Sequence, residues 1–311
     1  MSLPPFPRSW RALVLLLWLG PACDRATPPA TATAKPPAAE ETPAAPAPEP
    51  RPKAEPSPKP STQADESPAE PTPTVEYDSA AGLHYLERVV GGGEPDDALP
   101  MIVAIHGLGD RPEAFARILD TFVEPARVIL PRGIDEYEGG WSWFSTRARS
   151  EHVDQLGSEL SVAAGVIATG VAAIADARPT RGKPIVTGFS QGGMLAFTLA
   201  LHHPDVFAAS VPVGGWLPPP LWPKTGPGDR AFPPVVALHG TADAAVRYDG
   251  TKLAVDSLAE LGYPVTLRTF EGVPHAIPPI VHRELLDLIQ DSVRKAARAK
   301  PSAKAPGKEA P

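Results

Sequence analysis

The chain has 311 residues, a formal net charge of −7, 42 prolines and one cysteine. A single cysteine excludes a disulfide framework, a CxxC pair and a thiolate metal site. Residues 75–298 carry 27 acidic and 19 basic side chains with no Lys/Arg run, which excludes a phosphate-binding face and argues against nucleic acid as a partner.

Residues 1–22 have the layout of an export signal peptide. Arg8 and Arg11 supply positive charge, Ala12–Leu19 is an apolar core, and Gly20-Pro21-Ala22 are small or turn-forming. Eight helical residues rise only about 12 Å against a hydrocarbon layer of roughly 30 Å, so this core is too short to span a bilayer. Cys23 follows directly. The stretch Leu19-Gly20-Pro21-Ala22-Cys23 resembles a bacterial lipoprotein lipobox, in which the cysteine is lipidated and becomes the mature N-terminus. The resemblance implies an exported protein held on the periplasmic or cell-surface side of a membrane by its lipid alone; the alternative is ordinary cleavage beside an incidental cysteine.

Residues 24–74 contain 15 Pro and 12 Ala and no Val, Leu, Ile or aromatic residue. Such a segment cannot bury enough apolar surface to offset the entropy of ordering it, so 23–74 is expected to be a disordered, partly stiffened spacer. That leaves one folded domain over 75–298 and a disordered basic tail over 299–311.

Within the domain, Pro100–His106 is a continuous apolar run ending at Gly107, the pattern of a strand buried on both faces. Arg127–Leu130, Pro184–Thr187, Val206–Val213 and Pro234–Leu238 read likewise, while Val265–Phe270 alternates and suits a strand nearer an edge. Leu156, Leu160, Ala164, Ile167, Val171 and Ile174 recur at steps of three and four and predict a helix over 151–176. Further helices are expected over 191–202, 246–261 and 278–298. The alternation implies an α/β fold with a mostly parallel sheet, helices on both faces and chemistry at the carboxyl ends of the strands.

Gly188-Phe189-Ser190-Gln191-Gly192-Gly193 stands between a predicted strand and a predicted helix. It is a G-x-S-x-G string in the one context where it has a mechanical meaning: a turn so tight that side chains two places either side of the serine would collide. A serine nucleophile needs a base, and the base needs an orienting acid. In α/β-hydrolases these follow in the order Ser, Asp, His. Asp243 lies in the loop after Pro234–Leu238 and His275 in the loop after Val265–Phe270. Asp249 and Asp256 fall within a predicted helix and read as solvated charge; His239 precedes the acid and reads as a packing residue. The turn His106-Gly107-Leu108-Gly109-Asp110 can aim the Leu108 N–H at a developing oxyanion, with the Gln191 N–H as second donor.

The strings HGLGD, GFSQGG, HG-x-x-D and G-x-P-H, in this order, resemble the phospholipase/carboxylesterase family that includes the acyl-protein thioesterases. The resemblance covers about 83–295. It implies an α/β-hydrolase fold without a large cap domain, and a serine hydrolase of esters or thioesters with Ser190, Asp243 and His275 as triad, Leu108 and Gln191 as oxyanion donors, and no cofactor. The family often has Trp-Phe-Asp in its pocket-lining loop, whereas Ser145 follows Trp143-Phe144 here. Trp143 and Phe144 are the expected substrate-pocket residues; Trp141, Trp216 and Trp222 serve equally as walls or as packing. His202-His203 does not make a metal site, because adjacent helical residues diverge and no carboxylate stands at ligand spacing. Seven prolines among residues 214–234 preclude lid helices there. The expected substrate is therefore a dissolved short or medium acyl ester. A peptidase or acyltransferase on the same scaffold, or a tethered non-catalytic binding module, are the alternatives.

Overall fold

The computed structural model describes residues 75–301. The chain enters through an antiparallel pair, β1 (Asp78–Ala80) and β2 (Leu83–Val90), and continues through β3 (Met101–Ile105), α1 (Pro112–Phe115) and β4 (Ala126–Pro131). A short hairpin follows, β5 (Asp135–Tyr137) with β6 (Gly140–Ser142), and then the long helix α2 (Val153–Ala177). The remainder alternates: β7 (Ile185–Phe189), α3 (Gln191–His202), β8 (Ala209–Val213), β9 (Val235–Gly240), α4 (Tyr248–Glu260), β10 (Val265–Phe270) and α5 (Pro279–Ala297).

Eight strands form one sheet in the order β1-β2-β4-β3-β7-β8-β9-β10, parallel from β4 to β10 and antiparallel at β2 and β1. The five residues of β3 and the six of β4 are all buried, β3 as an unbroken apolar run and β4 with Arg127 paired to Glu87. One core packs α2, α3 and α4 on one face of the sheet, with Leu156, Leu160, Phe197 and Leu258 at its centre. The other packs α1 and α5, with Phe115, Leu285 and Ile289. Each large aliphatic side chain buried this way contributes about 1.5–3 kcal/mol. This is the α/β-hydrolase arrangement, and it brings the carboxyl ends of β3, β7, β8, β9 and β10 to one rim.

Two boundaries differ by three residues from the sequence expectation. Residues 206–208 turn rather than extend: Val206 N–H caps back to the His203 carbonyl, and the strand starts at Ala209. The fold also continues past 298. Arg181 donates to the Ala299 carbonyl at 3.3 Å and pairs with Pro301 through an isolated bridge, so residues 299–301 belong to the domain. The antiparallel β1–β2 pair and the β5–β6 hairpin are additions. The expected signal peptide, Cys23 and the Pro/Ala spacer lie outside the described residues, as does the tail beyond 301.

Candidate active site

One residue separates β7 from α3, and it is Ser190. Its backbone has φ 58° and ψ −117°, a left-handed geometry that costs a non-glycine residue about 1–3 kcal/mol. The turn is enforced by its neighbours. A Cβ on Gly188 would lie 2.5 Å from the Gly192 carbonyl group, and one on Gly192 would lie 2.0 Å from the Ile105 oxygen. Ser190 N–H donates to Val213 O at 3.0 Å, and its carbonyl accepts the Met194 N–H at 2.9 Å. The strain is thus held from both sides, by β8 and by the first turn of α3.

The two residues expected to assist Ser190 arrive at it. His275 Nε2 lies 2.9 Å from Ser190 Oγ, and His275 Nδ1 lies 2.6 Å from Asp243 Oδ2. The imidazole stacks on Phe189 with ring centroids 4.6 Å apart, which fixes its plane. Asp243 Oδ1 accepts the N–H groups of Ala245 and Val246, each at 2.9 Å. Burial alone would raise the Asp243 carboxyl, but hydrogen bonds from His239, His275 and Val246 outweigh it and hold the acid well below its ordinary range.

His239 does more than pack. Its Nε2 lies 2.9 Å from the Val246 carbonyl and 3.3 Å from Asp243 Oδ2. Both neighbours are acceptors, so Nε2 carries a proton, and Nδ1 is buried with no partner among the described residues. Asp243 therefore has two histidine neighbours, one facing Ser190 and one facing inward.

The oxyanion side is assembled from further away. Among the described residues, no turn, loop or cap hydrogen bond uses the N–H of Leu108 or Gln191. The hairpin secures the Leu108 turn: Gly109 N–H donates to Trp141 O at 2.9 Å and Trp141 N–H to Asp110 O at 3.0 Å. His106, fully buried, binds Gly107 O through Nδ1 at 2.6 Å and accepts the Gly133 N–H on Nε2 at 3.0 Å. Burial pushes its pKa down, so it stays neutral and satisfies both partners. The Gln191 side chain fastens the same segment to α3. Its Oε1 accepts the Trp143 N–H at 3.0 Å and its Nε2 donates to Phe144 O at 2.8 Å.

Beside Ser190 opens a cleft of about 160 Å³ whose walls include Leu108, Phe144, Met194, Ala245 and Val246. Phe144 lines it as the sequence predicts; Trp143 does not. Trp143 is only 2% exposed, packs on the His106 ring at 5.3 Å and donates to the His106 carbonyl at 3.0 Å. Its large ring supports the oxyanion turn from beneath instead of walling the pocket. Trp141 meets Tyr77 edge-on, and Trp222 is spent on the Leu217 carbonyl. Residues 214–234 hold only the short turn Pro219–Leu221 and no α-helix. Asp256 forms a surface pair with Lys252, and His202 bonds the Leu221 carbonyl.

The arrangement can move a proton from a hydroxyl to an imidazole oriented by a carboxylate, beside two backbone N–H groups. Known proteins place the chain in a family. The family model described as Phospholipase/Carboxylesterase matches residues 86–293. A Nocardia uniformis subsp. tsuyamanensis protein named as the esterase NocK is 30% identical over 190 residues, 58% of this chain and 50% of its own length, so the chain spans half of that relative. Acyl-protein thioesterase 1 of Gibberella zeae is 24% identical over 62% of this chain and 89% of its own. Among solved structures, esterase PE8 superposes with a TM-score of 0.57 at 21% identity, covering 67% of this chain and 98% of that one. The Bacillus cereus carboxylesterase gives 0.51 at 15% identity over 68% and 95%, a likeness of fold. With a family match spanning two thirds of its residues and the family's serine turn in place, the chain belongs to the phospholipase/carboxylesterase family.

Proposed function

We propose that this protein is a serine esterase that cleaves carboxylic esters, with thioesters as a second substrate class, through a Ser190–His275–Asp243 triad. The observation that carries this reading is the continuous relay of 2.9 Å and 2.6 Å ending on a serine held at positive φ. Ser190 Oγ attacks the ester carbonyl while His275 Nε2 takes its proton, and Asp243 stabilises the imidazolium. The tetrahedral oxyanion is received by the Leu108 and Gln191 N–H groups. His275 then returns the proton to the departing alkoxide, leaving an acyl-Ser190 ester. Water, deprotonated by the same imidazole, hydrolyses it and regenerates the serine. Because Nε2 must be free to accept a proton, turnover rises with pH.

A fluorophosphonate probe tests the reading. The wild-type protein becomes labelled on Ser190 and loses esterase activity in parallel, whereas Ser190→Ala takes up no label. A folded wild-type protein that resists the probe overturns it.

The same reading includes export and anchoring through a lipidated Cys23, supported by the short apolar leader, the cysteine after Ala22 and the long Pro/Ala spacer. Intact mass of the native protein is expected to show a diacylglyceryl-modified chain beginning at Cys23, and Cys23→Ser is expected to abolish the lipid. An unmodified N-terminus elsewhere refutes the anchor.

A further inference from the structure

We infer that the acyl part of the preferred substrate is short and ends in a carboxylate, which Arg147 and Arg149 receive at the mouth of the cleft; this rests on the esterase reading above. Three observations converge on it.

The first is which half of the substrate the cleft serves. His275 must protonate the leaving alkoxide, so the alcohol departs on the His275 side of Ser190. The walls of the 160 Å³ cleft include Ser190, Leu108 and Gln191 but not His275. The cleft therefore takes the acyl chain. Its floor is apolar, formed by Met194, Phe144 and Val246, and its volume is that of about five waters, room for a chain of a few methylenes.

The second is what stands at its mouth. Arg147 and Arg149 both border the cleft, and both are exposed. Neither has a carboxylate partner among the described residues. Arg147 lies over the Tyr137 ring, its guanidinium carbon 4.9 Å from the centroid, and Arg149 donates through Nη1 to the Ala244 carbonyl at 2.9 Å. These contacts aim the two forks yet consume one of ten N–H donors. Glu159, the carboxylate that bonds the neighbouring Ser145 and Thr146, is spent on those two and on Gln155.

The third is the setting. Residues 75–298 carry eight more acids than bases, from 27 and 19, so the domain as a whole repels anions. Two unpaired guanidinium groups at one cleft mouth run against that background. An apolar stem with an anionic tip, the shape of a dicarboxylic half-ester, matches a greasy floor under a cationic rim.

The test compares the para-nitrophenyl half-ester of adipic acid with its neutral isostere, para-nitrophenyl hexanoate, after subtraction of spontaneous hydrolysis. Wild-type kcat/KM is expected to favour the adipate ester by at least about tenfold, mainly through KM, with the preference shrinking in high salt. Arg147→Gln/Arg149→Gln is expected to erase the preference, and Arg147→Lys/Arg149→Lys to retain part of it. Fluorophosphonate labelling is run alongside. A protein that labels but prefers hexanoate, or a double Gln variant that keeps the adipate preference, overturns this inference alone. A folded protein that neither labels nor hydrolyses either ester overturns the esterase reading and this inference with it.

Discussion

The two halves of the site are held in different ways. On the nucleophile side the constraint is steric and local: glycines at 188 and 192 let the Ile105, Gly188 and Gly192 backbones press together, and nothing larger fits. On the oxyanion side it is a set of hydrogen bonds spanning tens of residues, from Gln191 to Trp143 and Phe144 and from His106 to Gly133. A steric constraint fails abruptly when a methyl group is added. A hydrogen-bonded clamp loosens bond by bond. Damage to the first side should appear as lost protein, and damage to the second as lost rate in a protein that still folds.

The largest effect separates chemistry from scaffold. Ser190→Ala should lower kcat by about 10⁴-fold or more while leaving the fold intact. Ser190→Gly should be equally inactive yet melt higher, because glycine relieves the left-handed strain. A glycine variant that melts lower would show that the turn is not strained. Next, Gly192→Ala drives a Cβ into the Ile105 carbonyl and should destabilise by about 3 kcal/mol or more, read as a fall in denaturant midpoint. Gln191→Ala leaves the Trp143 N–H and Phe144 carbonyl without that partner, a cost of about 2–4 kcal/mol. It should lower turnover per folded molecule. A variant that loses folded protein but keeps full turnover per folded molecule would place Gln191 with the steric side.

The smaller predictions sharpen the contrast. Phe144→Ala should move the acyl optimum toward longer chains, whereas Trp143→Phe should leave that optimum in place and weaken stability by about 1 kcal/mol, the bond to His106 O. A shifted optimum in Trp143→Phe would return that ring to the pocket. Asp243 supplies the pH term. Its native carboxyl is depressed by the hydrogen bonds that outweigh its burial, so the unfolded chain binds a proton more readily. The stability it contributes is complete above about pH 4 and is lost as pH falls further. Asp243→Asn should flatten that acid limb in equilibrium unfolding. An unchanged limb would assign acid sensitivity elsewhere.

The legible part of the fold was the part buried on both faces, where unbroken apolar runs and short connections leave few alternatives. The serine turn was legible for a related reason, since glycine spacing records a steric need within five residues. What escaped depends on distant partners. β2 (LHYLERVV) alternates irregularly because its face is shared with Arg127, whose buried guanidinium is neutralised by Glu87 from β2 itself, forty residues earlier. The β5–β6 hairpin has three-residue strands with no periodicity to read, and it exists because Gly109 and Asp110 pair with Trp141. Trp143 reads as a pocket wall because an indole fits a wall and a core equally well; its bond to the His106 carbonyl decides for the core. His239 showed as a packing residue, and its approach to Asp243 needed the α4 approach loop to close over both.

The relay also has an order in time. Ser190 and its glycines leave the site of synthesis some 85 residues before His275, and His275 precedes α5, whose Leu285 and Ile289 complete one of the two cores. Domains fold from chain already delivered. A chain emerging or threading N-terminus first thus carries a nucleophile long before it has a base. It becomes able to hydrolyse only once α5 has followed His275 and docked, so wherever that helix finally folds is where its chemistry begins.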